Sequence, residues 1–198
     1  MQALFFNKRK HKRHKELNLH SEIYFMANYK EDLVKIKTLI FDYDGVLTDG
    51  IVLITNSGEQ LRTGHVKDGY ALQLAVKAGF RVVVLSGGFS ESVKHRCRAL
   101  NLTDVFLGIE NKLAAFNEYI KTHELDPSEI LYMGDDIPDY QVMQIVGMPV
   151  CPADAAQEIK NISRYISHFK GGEGCVRDVI EQVLKVQGKW LNGNAFHW

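Results

Sequence analysis

Two carboxylates stand where an apolar run of the sequence ends. The run 38–41 is followed by Asp42 and Asp44, and Gly45 comes directly after them. On an extended backbone, side chains two residues apart point to the same side, so both carboxylates are expected to face one small volume. Carboxylates this close repel each other unless a cation or a shared proton lies between them. The pair therefore predicts a magnesium-dependent nucleophile with an acid–base partner, and Gly45 allows the backbone to turn away.

Chemically useful groups also follow three later apolar runs. The segment Ser86-Gly87-Gly88 offers a hydroxyl and two N–H groups that an anion can approach closely, and Lys112 is a cation at the start of a predicted helix. The run 130–133 is followed by three carboxylates, Asp135, Asp136 and Asp139. Ligands of doubly wound sheets bind beyond the carboxyl ends of the strands, so these groups are expected to meet there. Each group alone is common in turns and at surfaces, but the ordered set predicts a catalytic site.

The elements that must position these groups alternate between apolar strands and amphipathic helices from residue 36 onward. We expect strands at 36–41, 81–85, 105–107, 130–133, 149–151 and 165–166. We expect helices at 69–78 (with Asp68 as its cap), 90–100, 112–123, 139–146, 155–162 and 176–186. Residues 51–66 are expected to form a β-hairpin around a turn at 56–59. The pattern predicts an α/β fold with a Rossmann-like, doubly wound, mainly parallel sheet.

Length and composition are those of one globular domain. The chain has 198 residues, of which 45% are hydrophobic and 24% charged, enough for a sizeable core. It contains no stretch near the roughly 20 apolar residues that a membrane span needs, and no apolar secretory segment follows the basic N-terminus. The three cysteines, Cys97, Cys151 and Cys175, lack CxxC spacing and predict buried thiols in a reducing cytoplasm.

The net charge of zero conceals an uneven distribution of charge. Residues 1–30 contain seven Lys and Arg against two Glu, a net charge of +5, and most of the excess lies at 8–15. Such a run is one pattern that binds nucleic acid or an anionic membrane surface. We favour a disordered extension without a nucleic-acid partner, because no aromatic residues interleave with the basic ones. The expected organisation is an extension at 1–30, a core at 31–190 that includes the hairpin 51–66, and a tail at 191–198.

The four groups together resemble the motifs of the haloacid-dehalogenase-like phosphohydrolase superfamily over residues 36–145. The matching motifs are Asp42-x-Asp44-Gly45-Val46, Ser86, Lys112 and Gly134-Asp135-Asp136-x-x-Asp139. The resemblance implies that Asp42 attacks phosphorus to form an aspartyl-phosphate, while Asp44 serves first as acid and then as base. It implies Mg²⁺ held by Asp42, the backbone carbonyl of Asp44 and Asp135. It further implies that Asp136 and Asp139 orient the metal-bound waters and Lys112. It also implies that Ser86, the Gly87 N–H and Lys112 stabilise the charge on the phosphoryl group.

A narrower resemblance concerns the substrate. Superfamily members differ in an inserted cap, and here the hairpin 51–66 is the only insertion of note, so the chain resembles a capless member. The segments 58–62, 66–70 and 171–178 resemble the capless phosphatases of 3-deoxy-D-manno-octulosonate 8-phosphate (Kdo-8-phosphate). That resemblance implies a small acidic sugar phosphate of lipopolysaccharide synthesis as substrate. It also implies a homotetramer in which hairpins associate and Gly171–Gly174 lies near a neighbouring active site.

Several residues around the hairpin are candidates for contact with this acidic substrate. The predicted substrate-binding residues are Arg62, Lys67, Asp68, Gly69, Gly87 and Arg96. The arginines and the lysine also fit a second interpretation, as solvated residues of a hairpin edge or a helix surface. Gly88 departs from the second motif of the superfamily, because many members have an arginine at that position. The resemblance therefore implies no role for Gly88.

Two other functions share these features. A phosphatase of a nine-carbon, sialic-acid-type sugar phosphate has the same four motifs, because the motifs handle the phosphate and not the sugar. A non-catalytic phosphosugar-binding module usually lacks the nucleophile or a metal carboxylate, whereas Asp42, Asp44 and Asp135 are all present. The aromatic tail 190–198 fits either an interface or packing against the core.

Overall fold

A six-stranded parallel sheet forms the centre of the molecule. The computed structural model describes residues 29–197, within which the strands are β1 (Thr38–Phe41), β2 (Leu53–Ile54), β3 (Gln60–Leu61), β4 (Arg81–Leu85), β5 (Asp104–Phe106), β6 (Ile130–Met133), β7 (Met148–Cys151) and β8 (Tyr165–Ile166). The sheet order is β5-β4-β1-β6-β7-β8, and all five neighbouring pairs run parallel. Strands β2 and β3 pair separately as an antiparallel hairpin. The predicted doubly wound α/β fold with a small hairpin after β1 is confirmed.

Helices pack on both faces of this sheet. In the described chain they are α1 (29–34), α2 (Val66–Lys77), α3 (Glu91–Ala99), α4 (Lys112–Thr122), α5 (Tyr140–Met143), α6 (Gln157–Ile162) and α7 (Cys175–Val186). Short 3₁₀ turns lie at Pro127–Glu129, Ile137–Asp139 and Gly193–Phe196. Helix α2 begins earlier than predicted, with His65 as its N-cap. Asp68 therefore lies inside the first turn, and its predicted capping role is wrong.

The region after β6 also differs from the sequence prediction. A single helix over 139–146 was expected, but a 3₁₀ turn at Ile137–Asp139 leads into the four-residue helix α5. The turn begins with the Asp136 side chain, which accepts a hydrogen bond from Ile137 N at 2.8 Å, and it contains a proline near its start. Proline at a helix start fixes φ without losing a hydrogen bond, which favours this tight turn.

Apolar side chains fill both sides of the sheet. In β1, Leu39 and Phe41 belong to a core with residues of α1, α2, α3 and α7, whereas Ile40 belongs to a second core with residues of α4, α5 and α6. Alternate residues of a strand point to opposite faces, so a strand buried on both faces must be apolar throughout. This is why β1, β4 and β6 stand out in the sequence as continuous apolar runs.

The registry of the three central strands decides where the polar groups meet. Phe41 pairs with Val84 of β4 on one side and with Met133 of β6 on the other. The three strands therefore end at nearly the same level. The residues that follow them (Asp42, Ser86 and Gly134) begin at one edge of the sheet.

The glycine-rich segment 171–174 supports the loop that follows β1 in the same chain. A Cβ atom on Gly171 would lie 1.9 Å from the carbonyl oxygen of Gly45, and Gly172 N donates a hydrogen bond to the Val46 carbonyl at 3.0 Å. The Cys175 thiol contacts the same carbonyl at 3.2 Å. The segment needs glycine because two backbones approach closely here. The loop of Asp44 and Gly45 therefore depends on a distant part of its own chain.

The described part of the tail packs against α2. The Tyr70 hydroxyl donates to the Ala195 carbonyl, Lys77 Nζ donates to the His197 carbonyl at 2.8 Å, and Ala195 is buried. Phe196 is exposed. The basic run 8–15 lies outside the described residues. None of the helices in residues 29–197 has the length and apolar character to cross a membrane.

The close approach at Gly171 can be tested by adding one methyl group. Gly171→Ala is expected to lower the free energy of unfolding by about 1–3 kcal/mol, because the new Cβ would collide with backbone atoms that cannot rotate away. Urea unfolding followed by circular dichroism measures the change. Gly193→Ala is the control, since a Cβ there meets nothing within 4 Å. Equal stability of the two variants would contradict the packing described above.

Candidate active site

A cavity of about 320 Å³ opens at the carboxyl edge of the sheet. Its walls come from four loops, which follow β1, β4 and β6 and precede α4. The lining residues that carry polar side chains are Asp42, Asp44, Ser86, Lys112, Asp135, Asp136 and Asp139. The structure thus brings together the members of all four predicted motifs, as the shared edge of parallel strands requires.

Lys112 is held between two carboxylates at the floor of the cavity. Its Nζ lies 3.0 Å from Asp42 Oδ1 and 2.6 Å from Asp139 Oδ1, and all three side chains are almost fully buried. Burial disfavours the charge on Lys112, but the charges of Asp42 and Asp139 outweigh it and raise the pKa of the lysine. The ammonium group is therefore a fixed positive charge beside the nucleophile candidate.

Asp139 accepts hydrogen bonds from three donors. Besides Lys112, the Tyr132 hydroxyl donates to Asp139 Oδ1 at 2.6 Å, and Asp135 N donates to Asp139 Oδ2 at 3.3 Å. Burial and the nearby Asp139 charge keep the pKa of Tyr132 well above its usual value, so its hydroxyl stays a donor. The sequence did not indicate a role for Tyr132 in the site, because a tyrosine within an apolar strand is expected to be a core residue. Its position seven residues before Asp139 gave no signal of this contact.

Asp42 and Asp135 carry more negative charge than their surroundings neutralise. Burial, and next the charge of Asp139, raises the pKa of Asp42 to about 7 despite the opposing effect of Lys112. Burial and the charges of Asp42 and Asp139 raise the pKa of Asp135 to about 8. Asp42 Oδ1 is buried without a hydrogen bond of good geometry, although Lys112 forms an ion pair with it. Such a site favours a bound cation or protonated carboxyls.

The residues fit Mg²⁺. Carboxylate oxygens of Asp42, Asp135 and Asp139 lie within 4.8 Å of one another, and hard oxygen donors are the ligands that this ion prefers. Because Asp139 already accepts three hydrogen bonds, the available carboxylates are Asp42 and Asp135. Gly45 has a φ of +83°, and a Cβ there would lie 2.1 Å from Asp135 Oδ2. The missing side chain of Gly45 therefore makes room for Asp135.

The hydroxyl of Ser86 is positioned by the turn that follows β4. Ser86 is buried, and its Oγ accepts a hydrogen bond from Gly88 N at 3.1 Å. Since the backbone supplies this donor, the hydroxyl hydrogen is free to point elsewhere. Gly87 lines the same cavity. Ser86, Gly87 and Lys112 therefore surround one space from different sides.

Asp44 faces an arginine of the hairpin. Arg62 Nε donates to Asp44 Oδ1 at 2.8 Å, and Arg62 Nη2 donates to Asp44 Oδ2 at 3.0 Å. The hydrogen bonds and the charge of Asp44 raise the pKa of Arg62, although burial opposes the shift. Sequence reasoning placed both residues near the substrate, but the bidentate pair between them is visible only in the structure.

The remaining predicted substrate-binding residues do not share this cavity. Asp68 is buried and its Oδ1 accepts a hydrogen bond from Arg177 N at 2.6 Å, which joins α2 to α7. A Cβ on Gly69 would lie 2.7 Å from the Arg96 guanidinium, whose Nη2 donates to the His65 carbonyl at 3.3 Å. Lys67 is exposed. Within one described chain these four residues contribute to packing or to the surface, and their predicted contact with substrate stays a prediction.

A larger groove of about 800 Å³ adjoins the cavity. It shares Gly87, Lys112 and Pro138 with the cavity and extends over the start of α4 towards α6. Its walls mix apolar side chains such as Ile109 and Ile137 with polar ones such as Asn161. The groove leaves room beside the catalytic cavity for a larger polar molecule.

Comparison with known proteins gives the family. Residues 89–179 match the model of a haloacid dehalogenase-like hydrolase. The 3-deoxy-D-manno-octulosonate 8-phosphate phosphatase KdsC of Salmonella typhi is 37% identical over 154 residues, which are 78% of this chain and 82% of that protein. The chain belongs to the haloacid-dehalogenase-like hydrolases, among the Kdo-8-phosphate phosphatases. The predicted resemblance is thereby confirmed.

Solved structures of this family share the fold. A HAD superfamily (subfamily III A) hydrolase from Legionella pneumophila superposes with a TM-score of 0.82 at 36% identity, covering 86% of this chain and 93% of that one. The Kdo-8-phosphate phosphatase from Moraxella catarrhalis, determined with magnesium ion, phosphate ion and Kdo, gives a TM-score of 0.79 at 28% identity, covering 81% and 92% of the two chains. A family member of this fold thus binds the ion that Asp42 and Asp135 fit here.

The raised pKa values predict that Mg²⁺ binding depends on pH. Mg²⁺ requires ionised carboxylates, so it must displace protons from Asp42 (pKa about 7) and Asp135 (pKa about 8). The affinity is expected to rise roughly 100- to 1,000-fold between about pH 6 and about pH 8 and to level off above about pH 9. Isothermal titration calorimetry in buffers of different ionisation enthalpy measures both the affinity and the proton release.

The same raised pKa values predict how the stability of the fold changes with pH. Both carboxyl groups titrate higher in the folded than in the unfolded protein, so the metal-free fold is expected to lose stability as the pH rises from about 4 to about 8. Added Mg²⁺ should reverse this loss. Asp135→Asn is the control, because it removes one of the two titrating groups. A Mg²⁺ affinity that does not change with pH would contradict the electrostatic description of the site.

Proposed function

We propose that the protein is a Mg²⁺-dependent phosphatase that hydrolyses Kdo-8-phosphate to Kdo and inorganic phosphate, a step in the synthesis of lipopolysaccharide precursors. The observation that carries this proposal is the buried group of Asp42, Lys112 and Asp139 beside Asp135 at the ends of adjacent parallel strands. This group has the parts that phosphoryl transfer needs, and it lies in a chain 37% identical to Kdo-8-phosphate phosphatases over most of its length.

In the first step, Asp42 acts as the nucleophile. One of its carboxylate oxygens forms a bond to phosphorus while the bond between phosphorus and the sugar oxygen breaks, which leaves an aspartyl-phosphate. Asp44 gives a proton to the departing sugar oxygen. The Lys112 ammonium, 3.0 Å from Asp42, and the Ser86 hydroxyl stabilise the negative charge on the phosphoryl oxygens.

In the second step, water hydrolyses the aspartyl-phosphate. Asp44, now ionised, takes a proton from the attacking water, and the bond between phosphorus and Asp42 breaks to release inorganic phosphate. Asp139 and Tyr132 keep Lys112 in place through both steps. Mg²⁺, when bound by Asp42 and Asp135, supplies positive charge that keeps Asp42 ionised and offsets the charge of the phosphate.

The size and openness of the site fit a sugar acid. The groove of about 800 Å³ next to the catalytic cavity is large enough for an eight-carbon sugar, and no cap domain covers it in the described residues. Arg62 provides a positive charge on the hairpin side of the cavity. A nine-carbon sugar phosphate would meet the same phosphate-binding groups, so the preference for eight carbons rests on the relatives.

We also propose a homotetramer formed through the hairpins, in the cytoplasm. Four consecutive apolar residues of the hairpin are exposed, with accessible fractions of 67% for Ile51, 36% for Val52, 64% for Leu53 and 68% for Ile54. An exposed apolar strand of this kind is typical of an interface between subunits. The cytoplasm is supported by Cys97, Cys151 and Cys175, which are all free and buried, as expected for a reducing compartment.

The catalytic proposal is tested by comparing two substrates and by replacing the nucleophile. The wild-type protein with Mg²⁺ is expected to release phosphate from Kdo-8-phosphate with a kcat/KM at least about tenfold above that for the nine-carbon analogue. Asp42→Asn is expected to reduce kcat by about 10⁴-fold or more, because an amide cannot form the aspartyl-phosphate. Phosphate release is followed with a coupled colorimetric assay.

The Glu118→Gln variant is the control for the loss of one carboxylate, because Glu118 is exposed on α4 and outside the cavity. It should retain wild-type kcat. An active Asp42→Asn enzyme would refute the mechanism, and comparable low rates on both sugar phosphates would refute a dedicated Kdo-8-phosphate phosphatase.

The proposed assembly is tested by placing a charge on the hairpin. Leu53→Glu is expected to convert a tetramer into smaller species, because the interface would have to bury an unpaired carboxylate. Size-exclusion chromatography with light scattering measures the mass. Val34→Glu is the control, since Val34 is 62% exposed on α1, away from the hairpin. A monomeric wild type, or a tetramer unaffected by Leu53→Glu, would contradict the proposal.

A further inference from the structure

Arg62 forms an ion pair with Asp44, which lines the catalytic cavity. Three hydrogen bonds join the guanidinium to the two carboxylate oxygens, at 2.8, 3.0 and 3.1 Å. The Arg62 side chain is only 4% exposed, whereas that of Asp44 is 29% exposed. The hairpin is tied down nearby, since Ser90 Oγ donates to the Gln60 carbonyl at 3.0 Å. The guanidinium is therefore a built feature of the site and not a freely moving surface charge.

Gly88 makes room for this pair. A Cβ at Gly88 would lie 2.6 Å from Asp44 Oδ2 and 3.0 Å from Arg62 Nη2, both too close for a side chain without rearrangement. Gly88 itself lines the cavity. The arginine of the hairpin can reach Asp44 because the loop after β4 has no side chain at this position.

The contact conflicts with the proposed role of Asp44. To serve the leaving-group oxygen, Asp44 must direct one carboxylate oxygen at it, within hydrogen-bond reach. In the structure, both oxygens accept hydrogen bonds from Arg62. The guanidinium holds the carboxylate in this orientation, so it has to move before one of these oxygens can turn to face the sugar oxygen.

Moving a nearly buried guanidinium away from its carboxylate is costly unless another anion receives it. A neutral sugar phosphate offers no second anion beyond the phosphate, which the Lys112 side of the cavity binds. A sugar acid offers its own carboxylate, and planar carboxylates match the guanidinium in bidentate geometry.

We propose that Arg62 selects acidic substrates by exchanging Asp44 for the carboxylate of the sugar, which frees Asp44 to act on the leaving-group oxygen. This inference deepens the proposed function and rests on it. Arg62 is then a substrate-binding residue whose effect depends on the charge of the leaving group. The selection acts on turnover as well as on binding, because release of Asp44 is part of the reaction.

The test compares two substrates that differ in this carboxylate. Kdo-8-phosphate and glucose 6-phosphate are both esters of primary alcohols, so each needs the same proton transfer from Asp44. For Arg62→Ala, kcat/KM on Kdo-8-phosphate is expected to fall roughly 10- to 100-fold, the loss typical of hydrogen bonds to a charged group. On glucose 6-phosphate it should increase, because Arg62 no longer holds Asp44 and no carboxylate contact is lost.

Two further variants separate this role from a structural one. Arg62→Lys should be intermediate on Kdo-8-phosphate, since an ammonium keeps the charge but not the paired geometry. Arg98→Ala, at an exposed arginine of α3 outside the cavity, is the control and should behave as wild type on both substrates. An equal loss on both substrates, or no loss on either, would overturn the proposed role of Arg62.

A binding measurement keeps this inference separate from the proposed function. Free Kdo carries the carboxylate but no phosphate, and calorimetric titration of the Mg²⁺-loaded protein should show binding that weakens at least about tenfold in Arg62→Ala. Wild-type protein that binds Kdo but does not hydrolyse Kdo-8-phosphate would refute the proposed function alone. Equal Kdo affinity in wild type and Arg62→Ala, or no binding to either, would refute the role of Arg62.

Discussion

Three carboxylates gather at the ends of β1 and β6, and their mutual repulsion governs the electrostatics of the whole site. Asp42, Asp135 and Asp139 lie close enough that their nearest oxygens fall within 4.8 Å. Lys112 neutralises part of this charge, and the remainder raises the pKa values of Asp42 and Asp135. A folded protein tolerates such an arrangement where a cation or a proton offsets it. The electrostatic cost is thus the source of both the metal site and the reactivity.

The second constraint is close packing at three glycines, two of which make room for side chains and one for a backbone carbonyl. Gly45 leaves room for Asp135, Gly88 for Asp44 and Arg62, and Gly171 for the carbonyl of Gly45 itself. These contacts link the loop after β1 to the loops after β4 and β6, and also to the segment 171–174, which lies more than a hundred residues further along the chain. The loop that holds Asp44 is therefore shaped by the sheet, by the neighbouring turn and by the approach to α7. A single methyl group at any of these glycines would displace a functional carboxylate or its support.

Sequence reasoning succeeded where residues act through local geometry. Strands buried on both faces must be continuously apolar, so β1, β4 and β6 were predicted within two residues of their observed bounds. The residues after them could be placed at one edge because parallel strands share their direction. The predicted capping role of Asp68 is wrong, because the helix begins before this residue and its carboxylate is buried in a hydrogen bond to α7. It also overestimated the helix after Asp139, because a proline-containing 3₁₀ turn precedes α5.

The fold class, the four motifs and their order can be inferred without a structure, since periodicity and residue type are properties of the amino-acid sequence. Three contacts became visible in the folded chain: Asp139 binds Lys112, Tyr132 joins this network, and Arg62 faces Asp44. These contacts join residues 7 to 27 positions apart in the chain. Whether such side chains meet depends on strand registry and loop path, which no local pattern encodes.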